Sequence, residues 1–531
     1  MILPLTPLRF LERVKTMYGR KAGVVCGGER FLYAAFFERC CRLAGALRDL
    51  GLQPGERVAF LSYNCHRLLE AYYGVLQAKG VLLPLNIRLS AGEIAFILQD
   101  SGARFLFLHR DFLPLVEPIR EQLPGGSRIF YLEGGDGTPR WIEPRSYDQL
   151  LAESSPAPFD FLGVDENALA ELFYTSGTSG DPKGVMLSHR TIYLHALNVL
   201  ASQHLTDTTV QLHTIPLFHA NGWGAAHTVM AAGGRHVMLK KFDPDNVCQL
   251  IQQEKVTFFS MVPTMATTLV HFPGLSRYDL RSLEWVMVGG AASSEELIRQ
   301  IEEKLGCRAY AGYGMTETSP VLTIAYVADS LSNAGPAEKL RRQAMTGRAV
   351  VGVELRVVDT EGNDVPRDGY TIGEIVARSD GVMEGYWQQP QETQAVLRDG
   401  WLYTGDMAVW DEEGYLLIVD RKKEIIISGG ENISSLEIER ALCAHPSVYE
   451  CAVIAVPDET WGEVPKALVV LKPNAQATEE ELIGFLRERI AKFKAPKSVE
   501  FLSSLPKGGT GKILKKELRE KYWTGLAKRV H

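Results

Sequence analysis

Cysteine is scarce and unpaired in this 531-residue sequence. The eight residues, Cys26, Cys40, Cys41, Cys65, Cys248, Cys307, Cys443 and Cys451, include no C-x-x-C spacing. That argues against a zinc ribbon and against a dithiol redox motif. Buried, reduced thiols are the expectation. Long apolar runs are missing as well: none approaches the ~18–20 residues that cross a bilayer. Near the start stand Pro4, Pro7, Arg9 and Arg13, where a secretion signal needs an unbroken apolar core. A cytoplasmic protein with no integral membrane segment is expected. Leu8, Phe10 and Leu11 beside those arginines fit either a first packed helix or a loose peripheral membrane contact. Positive charge is not in excess; the net charge of −7 gives no field for nucleic acid. Low-complexity segments and internal repeats are also lacking, so no solenoid is indicated.

What is present is ordinary globular material, 46% apolar and 23% charged, in a chain too long for one core. Strand-like runs alternate with helix-like periods in the first two thirds. Arg57–Ser62, Val81–Leu85 and Phe105–Leu108 read as strands, with helices over 35–51, 66–78 and 93–99. Further on, Val210–Thr214, 257–260, 285–288 and 308–311 read as strands, with helices over 246–254 and 294–305. Such alternation predicts layered α/β architecture. After Gly347 short alternating runs, 353–358 and 373–378, and a hairpin around 412–414 predict a small β subdomain, barrel-like, over 347–420. Beyond Lys423 the pattern resets into about 100 residues of α+β composition, enough for an independent domain. The division expected is 1–422 for a large N-terminal domain and 423–531 for a small C-terminal one, with the boundary at 421–423.

One loop has unusual chemistry. Between the apolar runs 172–173 and 184–187 stand Thr175, Ser176, Gly177, Thr178, Ser179 and Gly180, then Lys183. Glycines let backbone N–H groups turn inward around an anion, hydroxyls add short donors, and the lysine adds a cation. The set suits a polyphosphate. It is not a Walker loop, because Pro182 precedes the lysine and Gly184 follows it. A flexible Ser/Gly surface loop is the plainer alternative for such composition.

Four further stretches accompany this loop: Tyr313-Gly-Met-Thr316-Glu317, Trp401-Leu-Tyr-Thr-Gly405-Asp406, the segment from Asp420 to Asn432, and Pro506-Lys-Gly-Gly-Thr-Gly511-Lys512. In this order and spacing they resemble the acyl-adenylate-forming superfamily, the AMP-dependent synthetases and ligases, and among these the medium- and long-chain fatty acyl-CoA synthetases. The resemblance covers nearly the whole chain. It implies that a carboxylate displaces pyrophosphate from ATP, and that the CoA thiol then displaces AMP. Both steps crowd anions together, so positioned cations and donors should dominate.

The resemblance carries roles to matching positions. Residues 175–180 and Lys183 would hold the β- and γ-phosphates. Tyr313 would face adenine, with Gly290 and Gly312 allowing close approach; Ala291, Gly314 and Met315 belong to the same wall. Thr316 would donate to the α-phosphate. Glu317 would hold Mg²⁺, a hard cation suited to carboxylate and phosphate oxygens. Asp406 would accept the ribose hydroxyls, with Arg421 nearby. Lys512 would stabilise charge developing between carboxylate and phosphate. Lys423 matches the hinge about which the mobile C-terminal domain turns between half-reactions, bringing Gly429 and Gly430 to the cleft. Ser179 stands where threonine is frequent, Ala311 where an amide is frequent, and Val351 where proline is frequent; none removes a catalytic group.

For the acid, Pro216-Leu-Phe-His219-Ala-Asn-Gly-Trp223-Gly224 resembles the border of the acyl pocket. His219 would sit beside the carboxylate and Trp223 would act as an aromatic gate or as core. Thr264, Met265, Gly289 and Met315 would line an apolar tunnel without a lysine or arginine, and small Gly222, Gly224, Ala225 and Ala226 suggest a deep slot. A medium- or long-chain fatty acid follows. An aryl-CoA ligase, a ligase loading a carrier protein, and a catalytically inactive nucleotide-binding regulator are the alternatives. ATP, Mg²⁺ and CoA are the expected cofactors, and the reading allows a homodimer.

Overall fold

The computed structural model describes residues 2–135, 137–175, 182–422, 424–428, 431–458, 460–507 and 513–523. Two large sheets form its larger part. A seven-stranded sheet has the order Gly385–Tyr386, Lys183–Ser188, Leu169–Thr175, Val81–Pro84, Arg57–Leu61, Phe105–Leu108 and Arg128–Tyr131. Its last five strands run parallel; the first two pair antiparallel at one edge. The parallel strands are almost wholly buried, which explains their unbroken apolar runs. A nine-stranded sheet centres on parallel strands Trp285–Gly289, Phe258–Met261, Val210–His213 and Arg235–Met238. Its antiparallel margins include Arg308–Gly314 against Val321–Ile324.

The expected α/β architecture is the observed one, and the helices fall close to their expected spans. Tyr33–Asp49, His66–Gln77 and Glu295–Leu305 cover 35–51, 66–78 and 294–305. Local chemistry sets their starts. Ser90 and Glu93 close a capping box on Ala91–Ser101, and the Ser294 hydroxyl accepts from the Leu297 amide. Leu8, Phe10 and Leu11 are buried in the helix Leu8–Tyr18, against the core that also holds Tyr33, Phe36 and Leu47. That is the packed helix of the two readings, not the peripheral membrane contact: these side chains face protein. Among the described residues no helix is long and apolar enough to cross a membrane. All eight cysteines are free; five are buried as expected, whereas Cys26 and Cys65 are half-buried and Cys443 is exposed.

Strands Val353–Val358, Gly373–Ser379, Trp401–Trp410, Leu397–Arg398 and Leu416–Arg421 make a five-stranded antiparallel sheet with its own small core around Val357, Ile375 and Trp410. The 412–414 turn joins Trp401–Trp410 to Leu416–Arg421 as expected. Beyond it lies a second five-stranded sheet, flanked by helices Ser435–Cys443 and Glu479–Arg487, with a core around Ile438, Val453, Val469 and Leu482.

Candidate active site

The 175–183 and 313–317 motifs sit where strands end, whereas Asp406 lies inside the strand Trp401–Trp410. The strand Leu169–Thr175 and its partner Lys183–Ser188 are in register to their tips, where Thr175 faces Lys183. Ser176, Gly177, Thr178, Ser179 and Gly180 lie outside the described residues. The Lys183 ammonium is ion-paired with Glu392 and stands 5.3 Å from the centre of the Tyr386 ring. Tyr386 comes from the two-residue strand Gly385–Tyr386, which extends the same sheet. The Trp387 amide donates to the Gly184 carbonyl at 2.7 Å, fixing that edge.

The turn after Arg308–Gly314 is held tightly. The Met315 amide donates to the Pro320 carbonyl at 3.0 Å, and the Thr318 hydroxyl donates to that carbonyl at 2.7 Å. A Cβ on Gly314 would lie 1.7 Å from the Pro320 oxygen, so no other residue fits there. The turn raises Thr316, half-buried, and Glu317, buried. Tyr386 donates its hydroxyl to Glu317 Oε1 at 2.8 Å. Burial pushes the Glu317 carboxyl above the ordinary carboxylate range.

Asp406 and Arg421 are cross-strand partners in the small sheet. That register puts the Arg421 guanidinium 3.0 Å from Asp406 Oδ1, while Tyr313 donates to Oδ2 at 2.7 Å. Burial and then the neighbouring carboxylate push the Tyr313 phenol far up, so it remains a donor. Asp406 raises the Arg421 pKa, and Glu317 also acts on this guanidinium. The structure thus joins Lys183, Tyr386, Glu317, Arg421, Asp406 and Tyr313 in one neighbourhood. An ionised carboxylate has about four lone-pair sites, so Asp406 keeps acceptors for a diol beyond its two present partners.

The acyl-side residues meet at the end of Trp285–Gly289. Gly289 pairs with Gly312, and the Trp223 indole lies across Gly289 and Gly290. Added Cβ atoms would approach that ring to 3.2 and 3.1 Å, and 3.3 Å from the latter site is Val262. Gly290 has φ +79°, and Ala291 beyond it is exposed at the rim. Thr264 and Met265, half-buried, begin the helix Pro263–Val270. His219 borders a left-handed turn: Ala220, Asn221, Gly222, Trp223 and Gly224 all have positive φ, from 35° to 77°. The Trp223 and Gly224 amides donate back to the carbonyls of His219 and Ala220, at 3.3 and 2.9 Å. Gly222 and Gly224 therefore serve the turn's backbone, a correction to reading them as open space for an alkyl chain. Lys423, Gly429, Gly430 and Lys512 lie outside the described residues. Tyr386 and Glu392 were missed in the sequence: Tyr386 lies in a two-residue strand that carries no periodicity, and Glu392 in a short helix, Pro390–Val396, whose contact with Lys183 is made only in the fold.

Against known proteins, the model of AMP-binding enzymes matches residues 11–387. The chain belongs to the AMP-binding enzyme family. The model of that family's C-terminal domain matches residues 437–512. A long-chain-fatty-acid–CoA ligase of Thermus thermophilus is 38% identical over 521 residues, spanning 97% of this chain and 95% of that one. A peroxisomal benzoate–CoA ligase of Arabidopsis thaliana is 34% identical over 543 residues, spanning 98% and 93%. The ATP-bound structure of MatB from Rhodopseudomonas palustris superposes with a TM-score of 0.87 at 31% identity, spanning 98% and 99%. This AMP-binding enzyme is a CoA ligase of the acyl or aryl type, with ATP and CoA as the implied cosubstrates.

Proposed function

We propose that this ligase activates an apolar monocarboxylic acid, a medium- or long-chain fatty acid before others. The observation that carries the reading is the acyl-side wall. Trp223, Val262 and the bare glycines 289 and 290 meet there, and Thr264 and Met265 follow. None of these carries a positive charge to meet a second carboxylate. The similarity to the Thermus thermophilus ligase agrees. An aryl acid is the second reading, favoured by the flat indole face against Gly289–Gly290 and by the similarity to the Arabidopsis thaliana enzyme.

In this reading the acid carboxylate attacks the α-phosphorus of ATP and pyrophosphate leaves. Thr316 donates to the α-phosphate; Thr175, the 176–180 segment and Lys183 hold the outer phosphates; Tyr313, Asp406 and Arg421 orient the nucleoside. His219 stands beside the carboxylate, and Lys512 supplies charge at the reacting oxygen. The donor set at Glu317 fits Mg²⁺ carried on phosphates. One carboxylate is raised there, and among the described residues no group of three or more acidic, histidine or cysteine side chains forms a cage. Bound there, the cation would offset phosphate charge. The thiol step follows a turn of the C-terminal domain about Lys423. Trp461 and Phe493, 49% and 53% exposed, with Lys497 over the Trp461 ring at 5.9 Å, suit the nucleotide end of CoA.

The test is purified protein with ATP, Mg²⁺ and CoA against acids from butyrate to stearate, with benzoate. AMP and pyrophosphate should appear in equal amounts, with the highest kcat/KM on an alkyl acid. A maximum on benzoate selects the aryl reading; no turnover with any of these acids rejects both.

A further inference from the structure

His195 lies in the helix His189–Gln203, outside every motif of the nucleotide and acyl sites, yet it touches elements of both. Its side chain is buried, and its Nε2 accepts the Val321 amide at 3.0 Å. Val321 is the residue that leaves the turn carrying Thr316 and Glu317. On the other side, ring atom Cε1 lies 2.9 Å from where a Cβ on Gly224 would stand, and Pro320 Cδ is 3.6 Å from that same point. Gly224 closes the left-handed turn that places Trp223. A third loop arrives at Gly381, whose Cβ position is 3.5 Å from the Cβ of His195. Two residues on, the Met383 amide donates to the Glu317 carbonyl at 2.9 Å. One imidazole is therefore wedged between the Trp223–Gly224 turn, the exit of the Thr316–Glu317 turn, and the loop that backs Glu317.

Burial pushes this imidazole down to about 3, so it is neutral at working pH. A neutral ring accepting at Nε2 carries its proton on Nδ1, and it gives the Val321 amide an acceptor. Gly224 has no Cβ and φ +77°, so the ring can approach its backbone. Adenylation needs the acid carboxylate and the α-phosphate aligned to within a fraction of an ångström. These two reactants would be held by turns that meet at His195.

We propose that His195 is a positioning residue for adenylation, setting the distance between the acyl-side turn at Trp223–Gly224 and the nucleotide-side turn at Thr316–Glu317. The inference rests on the assignment of those two turns to the acid and to the nucleotide. It makes His195 act through Gly224 and Val321, without touching either reactant.

The experiment compares His195→Met, which fills the space without an acceptor, with His195→Gln, whose amide oxygen can stand near the Nε2 position. ATP–pyrophosphate exchange is measured with whichever of octanoate and benzoate the parent turns over faster, beside thermal unfolding. His195→Met should lower kcat at least about 10-fold and raise the KM of the acid, with the KM of ATP within about 2-fold; His195→Gln should stay within about 3-fold of the parent in kcat. If both variants lose only thermal stability, with kcat and both KM values of the folded protein unchanged, the role is merely structural and the proposal is overturned. Should His195→Met fail to fold, His195→Asn, whose oxygen falls short of Val321, replaces it; equal kcat in the Asn and Gln variants overturns the proposal. Glu317→Gln is run in parallel. Parent-like exchange in that variant would refute the site assignment itself, whereas a loss there with an unaffected His195→Met refutes the positioning role alone.

Discussion

A carboxyl group with no solvent around it tends to hold its proton, and Glu317 is such a group. Its pKa is raised by burial, while the Tyr386 hydroxyl favours the ionised form. In its proposed role as a Mg²⁺ ligand Glu317 must be ionised, so protons would compete with the cation at pH values where an exposed glutamate is already free. The KM for Mg-ATP should therefore fall as pH rises above the usual carboxylate value of about 4.3, then level off. A pH series of initial rates checks this, and Glu317→Gln should remove the slope. Tyr386→Phe deletes a donor that favours the ion, so its slope should shift to higher pH, with about 3- to 10-fold lower kcat/KM. Lys183 offers a second test. Its ammonium pairs with Glu392, which a phosphate would have to displace. Glu392→Gln should lower the KM for ATP by about 2- to 5-fold, measured with acid and CoA saturating. At this scale the sequence was informative about motif residues, because charge, hydroxyls and glycine announce phosphate chemistry. It was silent on Tyr386 and Glu392, whose roles come from pairing between distant segments.

At the scale of elements, two devices shape the proposed acyl side. The turn at 220–224 holds non-glycine residues at positive φ, and Gly290 at φ +79° lies under the Trp223 ring. Gly290→Ala would add a methyl 3.1 Å from that ring on a left-handed backbone. The cost should be about 1–3 kcal/mol of stability, read from chemical unfolding, together with loss of acid turnover. Trp223→Ala should raise kcat/KM for palmitate relative to octanoate by about 10-fold, because removing the indole extends the slot. The parallel strands and most of the helices between them were legible in the sequence, since apolar runs and helical periods are local. The left-handed turn was not. Its glycines read as small side chains, and nothing local distinguishes a glycine kept for space from one kept for backbone conformation. The hairpin Ala22–Cys26 with Glu29–Leu32 also went unread, its second strand being mostly exposed.

At the scale of the molecule, the proposed division at 421–423 separates groups that touch. The Ser435 amide donates to Asp420 Oδ2 at 2.7 Å, and Arg440 donates to the Ile418 carbonyl at 2.9 Å. A turn about Lys423 would break these contacts and carry Lys512 away from the acyl phosphate. Lys512→Ala should therefore slow adenylation by about 100-fold or more, yet leave thioester formation from supplied acyl-adenylate within about 3-fold. The two half-reactions assayed separately decide it. Beneath all of this lies one claim: the cleft between the strand tips at Thr175 and Lys183, the 313–317 turn and Asp406 makes an acyl-adenylate before any thiol arrives. The measurement that tests it most directly is exchange of labelled pyrophosphate into ATP with no CoA present. The account predicts exchange that requires both Mg²⁺ and an apolar monocarboxylate. Exchange that appears only after CoA is added, or ADP and phosphate as the products, would contradict it.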